Sequence, residues 1–254
     1  MSTLALRLKA ALVGSPFEET AHQLRWLLQT RHRYKHPELW EMFLEHERFP
    51  MVLKKLLKPE SNAVDVGCHL GSFLNLLRNI APHGKHIAIE PSRTKRAWLA
   101  KKFPTTKVLN FAIGDQTGRV TFEENVSHSG LSKLLSGEKI SGNIYYDVDV
   151  RRLDDVLQDR IDLLKLDVEG NELAALNGGK ELLRKWRPSI LFEFGMEYDK
   201  SLRRRELFDL LTAEGYSVYT FVDLLFDKGP MDFNEFRKCG LYPFRAFNYV
   251  ALPH

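Results

Sequence analysis

The segment 62–71 constrains the fold of this chain more than any other, because an apolar run there ends in an acid and leads into a loop bracketed by glycines. The run predicts a β-strand, Gly67 and Gly71 predict a tight turn, and the amphipathic residues that follow predict a helix. A second apolar run, 86–89, ends in Glu90. Such a unit binds nucleosides, since loop N–H groups approach the ligand and the second acid accepts hydrogen bonds from both ribose hydroxyls. The segment therefore predicts an α/β fold with a nucleoside site.

The composition of the glycine loop narrows the choice of nucleoside. Its glycines are Gly67 and Gly71 with His69 between them, so only the first glycine of the dinucleotide fingerprint is in place. A pyrophosphate favours bare backbone at the start of the helix. S-adenosylmethionine has no phosphate and carries a positive sulfonium, and an acid such as Asp65 at the end of the first strand suits that charge. The loop therefore favours S-adenosylmethionine as the cofactor.

Composition limits the class of protein further. The 254 residues, of which 44% are hydrophobic, suffice for one large α/β domain with a short extension. The formal charge of +4, from 37 basic and 33 acidic residues, is too small to require nucleic acid as a partner. Two cysteines, Cys68 and Cys239, exclude a disulfide framework and fit a reducing compartment. No apolar run reaches about 18 residues, and Arg7 and Lys9 interrupt the apolar N-terminus, so we expect a cytoplasmic protein without a membrane span or a cleaved signal peptide.

The periodicity of apolar residues divides the chain into two regions. Residues 1–60 predict helices alone, and 61–254 predict alternating strands and helices, which indicates a doubly wound, mostly parallel sheet. The predicted strands are 62–66, 86–90, 107–113, 161–167, 188–194, 216–221 and 246–252, with extra strands at 118–122 and 144–150; the predicted helices are 71–81, 92–103, 171–186 and 201–214. We expect the N-terminal helices, the irregular segment 115–160 and the insertion 223–244 to form the substrate pocket.

The fourth predicted strand carries the densest set of ionisable residues. Lys165, Asp167 and Glu169 would share one face if the strand stays extended, and three charges on a buried strand are costly without pairing or a purpose. The lysine could lower the pKa of an acceptor hydroxyl or pair the carboxylates, and either acid could accept the proton or orient the acceptor. The alternative is a structural ion pair in which Glu169 caps the next helix. Glu193, at the end of the fifth strand, is either a further site residue or a structural partner, and Glu172 suits the dipole of a first helical turn.

Three other features have a structural interpretation beside a functional one. Ile113 and Asp115 end the third strand, where the first could contact an adenine ring and the second its amino group, although an ordinary turn explains Asp115 equally well. His128 could act as a base, but a surface-loop histidine is favoured. The basic clusters 31–36 and 203–205 could contact phosphate or RNA. A solvated junction between helices is the favoured interpretation of the first cluster.

Five segments together resemble the FkbM-type S-adenosylmethionine-dependent methyltransferases: VDVGCHLG at 64–71, IEPS at 89–92, AIGD at 112–115, RLDD at 152–155 and LKLDVEGNE at 164–172. The resemblance covers about residues 62–194, and its last segment is the most specific. It implies an α/β class I methyltransferase fold, which is a doubly wound, Rossmann-like sheet of seven strands with the last strand antiparallel. In this chain an N-terminal helical extension would precede that domain.

The resemblance also implies an activity and a set of site residues. The family is associated chiefly with O-methylation of hydroxyls on sugars and natural products, so the implied partner is a small-molecule or glycan hydroxyl acceptor. By the resemblance Asp65, Gly67, Gly71 and Glu90 bind the cofactor, Asp115 lies near the adenine, and Asp167 and Glu169 line the reaction centre. The complete prediction adds His69 and Ile113 to the cofactor-binding residues and Lys165 to the catalytic residues, with no metal ligand.

The chain departs from the family pattern at two places, and other functions stay open. Cys68 and His69 replace a small residue and an asparagine after the first glycine, and Gly195 stands where the family often has a histidine. The alternatives are a NAD-dependent oxidoreductase, a nucleic-acid methyltransferase and a cofactor-binding scaffold without catalysis. Two neighbouring acids do not specify a metal site. The helices of 1–60 could cap the cofactor, pad the sheet or form the surface of a homo-oligomer.

Overall fold

A mostly parallel sheet of seven strands forms the centre of the molecule. The structure is a computed structural model that describes residues 3–125, 132–135, 139–195 and 201–254. Its strands are β1 Ala63–Val66, β2 His86–Ile89, β3 Lys107–Leu109, β4 Ala112–Ile113, β5 Gly118–Glu124, β6 Lys133–Leu134, β7 Ile144–Arg151, β8 Leu163–Leu166, β9 Ser189–Glu193, β10 Tyr216–Thr220 and β11 Asn248–Pro253. The central sheet has the order β10-β11-β9-β8-β1-β2-β3. The last strand, β11, is antiparallel to both of its neighbours, and the remaining pairs are parallel. The predicted fold class is therefore confirmed.

Helices cover both faces of this sheet. They are α1 Thr3–Leu12, α2 Glu18–Leu28, α3 Thr30–Lys35, α4 Trp40–Phe43, α5 Glu45–Leu56, α6 Ser72–Ile80, α7 Arg93–Lys102, α8 Leu153–Val156, α9 Glu172–Asn177, α10 Lys180–Trp186, α11 Ser201–Ala213, α12 Phe221–Leu225 and α13 Phe233–Cys239. Successive residues of a strand point to opposite faces, so Val64 packs with Leu176 and Leu183, whereas Ala63 packs with Val52 and Leu53. Strands buried on both faces need continuous apolar runs, which explains the largely apolar sequences of β1 and β8.

A second, smaller sheet with the order β4-β7-β5-β6 lies beyond the edge of the central one. The extra strands predicted at 118–122 and 144–150 are confirmed as parts of β5 and β7. The single strand predicted at 107–113 is wrong, because β3 belongs to the central sheet and β4 to the smaller one. Asn110 lies between them and donates hydrogen bonds to the carbonyl oxygens of Glu90 (2.9 Å) and Pro91 (3.0 Å), which holds the chain in a turn there.

Two further predicted elements have different limits in the structure. The helix predicted at 171–186 is interrupted between α9 and α10, where Gly178 lies so close to Gly114 that a Cβ atom would be 2.1 Å from its carbonyl oxygen. The strand predicted at 161–167 is β8 and ends at Leu166. The chain does not stay extended after it, since Glu169 has a left-handed φ of 54°. The prediction that Glu169 shares the strand face of Lys165 is therefore wrong.

The N-terminal helices contact the sheet domain at two places. Ala10 and Val13 pack with Leu70 and Leu74 of the glycine loop and α6. Glu45, at the start of α5, is 7% exposed. Its carboxylate accepts hydrogen bonds from the backbone N–H groups of Phe247 (2.8 Å) and Asn248 (3.1 Å) and from the Asn248 side chain (2.9 Å). The division at about residue 60 stays a prediction. No helix within the described ranges is long and apolar enough to cross a membrane.

Candidate functional site

Two cavities meet at the carboxyl ends of the parallel strands. The first has a volume of about 310 Å³ and the second about 740 Å³. Both volumes lie in the range of small-molecule sites. Four residues line both cavities and are called the junction here: Gly67, His69, Asp167 and Glu193. Since Gly67 follows β1, Asp167 follows β8 and Glu193 ends β9, the junction lies where ligands bind in open α/β sheets.

The glycine loop can approach a ligand because its backbone adopts conformations that side chains would prevent. Gly67 has a φ of 77°, and a Cβ atom there would be 1.8 Å from the carbonyl oxygen of Asp167. Gly71 has a φ of 87° and begins α6; a Cβ atom there would be 2.5 Å from the ring of Phe103. His69 also has a positive φ, of 51°. Burial lowers the pKa of its imidazole to about 4, so His69 is neutral at physiological pH.

Glu90 follows β2, is 3% exposed and lines the first cavity. One of its carboxylate oxygens accepts a hydrogen bond from the His69 N–H and the other from the Ser92 N–H, both at 2.9 Å. Burial raises the pKa of this carboxyl, and the positive charge of Lys95 and the two N–H donors oppose that effect. A carboxylate has about four acceptor positions, so Glu90 can hold the loop and still accept bonds from two hydroxyls.

A buried ion-pair row lies beneath the junction. The Lys165 Nζ is 3.2 Å from an oxygen of Asp65 and 3.1 Å from an oxygen of Asp167. Asp65 is fully buried, and that burial raises its pKa although Lys165 opposes the effect. Burial alone would lower the pKa of Lys165, but the two carboxylates outweigh it and the pKa is raised. Of the two roles that the sequence allows for Lys165, the pairing of carboxylates is therefore present, and its ammonium stays charged.

Carboxylates surround the junction. Glu193 and Glu169 are half-buried, and Asp167 lies near both. Burial, followed by the charges of Asp167 and Glu169, raises the pKa of Glu193 to about 8. Burial and the charges of Asp167 and Glu172 raise the pKa of Glu169 to about 7. Glu172 accepts hydrogen bonds from the N–H groups of Val168 (3.1 Å) and Gly170 (3.2 Å), so it stabilises the turn that leads into α9.

The apolar part of the first cavity comes from the turn between the two sheets. Ile113 is 1% exposed and lines this cavity with Pro91, Phe111 and Ala112. The Asn171 side chain donates a 2.6 Å hydrogen bond to the Ile113 carbonyl oxygen, which fixes this wall. Asp115 differs from its prediction: it is exposed and is absent from the described lining of the first cavity. The Gly114 N–H donates to the Arg151 carbonyl oxygen (3.0 Å), and the chain bends at Asp115.

The second cavity has a polar wall to which the N-terminal helices contribute, as expected, although the sequence did not reveal which side chains form it. The N-terminal helices contribute carboxylates and imidazoles, α6 contributes amides, and aromatic rings lie between them; the lining includes Glu18, Glu19, His22, His46, Phe49, Phe73, Asn75, Asn79 and Asn248. The rings of His22 and His46 stack with their centroids 4.1 Å apart. The expected contribution of 223–244 is not found, because no residue of that segment lines either cavity within the described part of the chain.

The remaining candidates do not join this site. His128 lies outside the described residues. Each basic cluster places one arginine in the interior: Arg33 lies with its guanidinium 3.6 Å from the centre of the Trp26 ring, and Arg204 is 5% exposed and donates to the Phe236 carbonyl oxygen. Among the residues that the structure describes, no group of three or more His, Cys, Asp or Glu side chains could hold a metal ion.

The donor set fits S-adenosylmethionine rather than a dinucleotide. The loop offers close backbone approach at Gly67, and Glu90 offers a carboxylate to a ribose. The junction offers Asp167 and Glu193 to a positive charge, and a pyrophosphate would meet repulsion from the Asp167 carboxylate. A class I S-adenosylmethionine-dependent methyltransferase is the class of protein that this sheet order and this site define.

Comparison with known families gives the same class and a narrower assignment. The sequence model of the methyltransferase FkbM domain matches residues 65–218. The chain belongs to the FkbM methyltransferase family. It is accordingly an S-adenosylmethionine-dependent methyltransferase, and the oxidoreductase alternative is dropped.

Relatives and solved structures are similar over part of their length. The 2-O-methyltransferase NoeI of Sinorhizobium fredii is 28% identical over 64% of this chain and 75% of its own length. Methyltransferase sdnD of Sordaria araneosa is 26% identical over 50% of this chain and 66% of its own length. The crystal structure of methyltransferase FkbM from Methylobacillus flagellatus has a TM-score of 0.50 and 20% identity, covering 78% of this chain and 45% of that one. This last similarity supports the fold.

Proposed function

We propose that this protein transfers the methyl group of S-adenosylmethionine to a hydroxyl oxygen of a sugar or another small polyhydroxylated molecule. The observation that carries the proposal is the pair of cavities that meet at Gly67, His69, Asp167 and Glu193. The first cavity has the features of a nucleoside site and the second those of an acceptor site. The methyl group of a bound cofactor would therefore lie at the junction, between the two. The name of NoeI, a 2-O-methyltransferase, supports oxygen as the methyl acceptor.

The first cavity would hold the adenosine part of the cofactor. Glu90 would accept hydrogen bonds from the ribose hydroxyls, and Ile113 would pack against the adenine. Gly67 and His69 would lie against the chain between the ribose and the sulfur, with Gly71 keeping α6 close to α7. Asp65 would act indirectly, through Lys165, because its carboxylate is fully buried and paired with that lysine. Asp115 stays a prediction whose exposed position gives it little support.

The second cavity would hold the acceptor. Its amide, carboxylate and imidazole groups can bond several hydroxyls, and the rings of Phe49 and Phe73 offer flat apolar faces to a sugar ring. Lys165 is the one lysine or arginine among the described residues of this wall, and two carboxylates already hold it. The cavity therefore favours neutral acceptors over phosphorylated ones.

The residues of the junction would promote the reaction mainly by alignment. The cofactor supplies an activated methyl group, and the protein holds the acceptor oxygen in line with it; such positioning contributes about 7–11 kcal/mol of barrier lowering in well-oriented systems. Asp167, which lines both cavities and is held by Lys165, would orient the acceptor hydroxyl. Lys165 would be a positioning residue. Glu169 lines the first cavity only, so a role beside the cofactor fits it better than contact with the acceptor.

The test begins with calorimetric titration of S-adenosylhomocysteine, with NAD as the comparison. We expect micromolar binding of the first, about −8 kcal/mol, and none of the second. Isotope-labelled S-adenosylmethionine is then incubated with a panel of sugars and other hydroxylated molecules, and products are analysed by mass spectrometry and NMR. Labelled methyl on oxygen supports the proposal. Labelled methyl on nitrogen or carbon would refute O-methylation, and the lack of any S-adenosylhomocysteine binding would remove the cofactor assignment.

A matched pair of variants assigns the binding to the first cavity. Glu90→Ala should weaken S-adenosylhomocysteine binding, whereas Glu206→Ala, which removes an exposed carboxylate of α11 outside both cavities, should not. Equal affinities of the two variants would mean that the nucleoside binds elsewhere.

A further inference from the structure

Four carboxyl groups lie in or beside the junction. Glu193 comes from β9, and Asp167 and Glu169 follow β8, with Glu172 at the start of α9. Three lysines lie near this cluster: Lys165 is paired with Asp65 and Asp167, whereas Lys95 and Lys133 line the first cavity and favour the ionised form of Glu169. Among the described residues Glu193 forms no ion pair, because Lys165, which favours its ionised form, is already held by two other carboxylates. Such a cluster is costly in the absence of a bound cation.

Glu193 differs from the other carboxylates of the cluster in its access to the two cavities. Glu169 lines the first cavity alone, and Asp167 is held by the Lys165 ammonium at 3.1 Å. Glu193 lines both cavities and has no ion pair within the described part of the chain. With the methyl group placed at the junction as proposed above, Glu193 would lie beside it and could take a proton. On its other side β11 presents Asn248, whose amide is engaged by Glu45.

We propose that Glu193 accepts the proton of the acceptor hydroxyl, and that binding of positively charged S-adenosylmethionine, but not of neutral S-adenosylhomocysteine, prepares it by releasing its own proton to water. This inference rests on the proposed function. In the cofactor-free protein the cluster keeps Glu193 protonated at neutral pH, since its pKa is about 8. An opposite charge within about 4–6 Å lowers the pKa of a carboxyl by about one to three pH units, which makes Glu193 a carboxylate when the cofactor is bound.

The step balances in atoms and charge. As the C–O bond to the acceptor forms and the C–S bond breaks, the electron pair of the latter stays on sulfur and the hydroxyl proton moves to the Glu193 carboxylate. A sulfonium cation and a carboxylate anion thus become a neutral thioether and a neutral acid. Glu193 stays protonated beside the product, because the positive charge that favoured its ionisation is gone. The next molecule of S-adenosylmethionine then releases that proton.

Proton release can be measured without any acceptor or turnover. S-adenosylmethionine and S-adenosylhomocysteine are each titrated calorimetrically into the intact protein at pH 7 in buffers of different ionisation enthalpy. The slope of the observed heat against that enthalpy gives the number of protons released. We expect about 0.5–1 proton for S-adenosylmethionine and clearly fewer for S-adenosylhomocysteine. The difference should shrink at pH 5, where Glu193 stays protonated, and at pH 9, where it is already ionised.

Variants assign the proton to Glu193. Glu193→Gln should still bind both ligands but lose most of the difference in proton release between them, whereas the exposed control Glu206→Gln should keep it. Equal proton release for the two ligands, or a difference that survives in Glu193→Gln, would overturn the inference. Failure of both ligands to bind would instead overturn the proposed function, so the two failures are distinguishable. In steady-state assays the same variant should lower kcat by about 100-fold while the KM for S-adenosylmethionine changes little.

Discussion

The close contact at Gly67 allows a sharp test of how the cofactor loop is held. In Gly67→Ala the new methyl carbon would lie 1.8 Å from the Asp167 carbonyl oxygen, so the loop must move by more than about 1 Å to reach an ordinary contact distance. Alanine at a φ of 77° adds about 1–2 kcal/mol of backbone strain. Together with the displacement of the loop, we expect a loss of about 2–4 kcal/mol in the free energy of unfolding. Because the loop also carries the His69 N–H that binds Glu90, affinity for S-adenosylhomocysteine should fall by at least about tenfold.

The assay is equilibrium unfolding in urea, followed by calorimetric titration with S-adenosylhomocysteine under native conditions. Gly118→Ala is the matched control, because Gly118 begins β5 and, apart from its chain neighbours, no atom of the described residues lies within 4 Å of the position that a Cβ would take there. We expect this control to stay within about 0.5 kcal/mol of the parent protein. If Gly67→Ala unfolds at the same urea concentration as Gly118→Ala and binds the ligand equally well, the argument from close approach at Gly67 is refuted.

Four more predictions follow from the charges around the junction. Glu90→Ala leaves two backbone N–H groups without their carboxylate and should weaken S-adenosylhomocysteine binding at least about tenfold in calorimetry; unchanged affinity would contradict the ribose assignment. Asp167→Asn should lower kcat by about 100-fold while S-adenosylhomocysteine still binds, and full methyl transfer would remove Asp167 from the mechanism. Lys165→Met leaves the fully buried Asp65 unpaired and should cost about 3–5 kcal/mol in urea unfolding, most of which the added change Asp65→Asn should restore; a Lys165→Met protein of parental stability would show that the ion pair is dispensable. The pKa of Glu193 is raised from 4.5 to about 8 in the folded protein, so ionisation in the unfolded state increasingly destabilises the fold as pH rises between these values; Glu193→Gln should therefore raise Tm much more at pH 8.5 than at pH 5, and an equal effect at both pH values would contradict the assigned titration.

The strands and the glycine loop around the first cavity were predictable because their signals are local. Apolar runs that end in Asp65 and Glu90, with glycines between them, follow directly from the demands of a buried parallel strand and a close ligand. The ion pair of Lys165 was foreseen as one of two possibilities, since a buried lysine needs a partner. Neighbouring strands then place these residues at one edge of the sheet.

The parts that were missed depend on contacts between distant segments. The break in the predicted helix at Gly178 follows from its approach to Gly114, which no local pattern reveals. Glu169 leaves the strand face because the strand ends at Leu166 and both Glu169 and Gly170 have positive φ; glutamate gives no local signal for that conformation. The polar wall of the second cavity combines α2 and α5 with Asn248 from the last strand. Only packing brings such segments together, so periodicity could predict the helices but not what they enclose.

The hydrogen bonds between Asn248 and Glu45 have a consequence for how the acceptor specificity of such an enzyme can change. The family match spans 65–218, whereas the outer wall of the second cavity comes from residues before and after that range. Substitutions in this wall leave the glycine loop and Glu90 unchanged. A related enzyme could therefore change its acceptor specificity and keep its site for S-adenosylmethionine. A chimera that receives α1 to α5 from a relative would need the Glu45 contact with β11 to seat the new helices. For relatives of this kind, membership of the family therefore predicts methyl transfer better than it predicts the acceptor molecule.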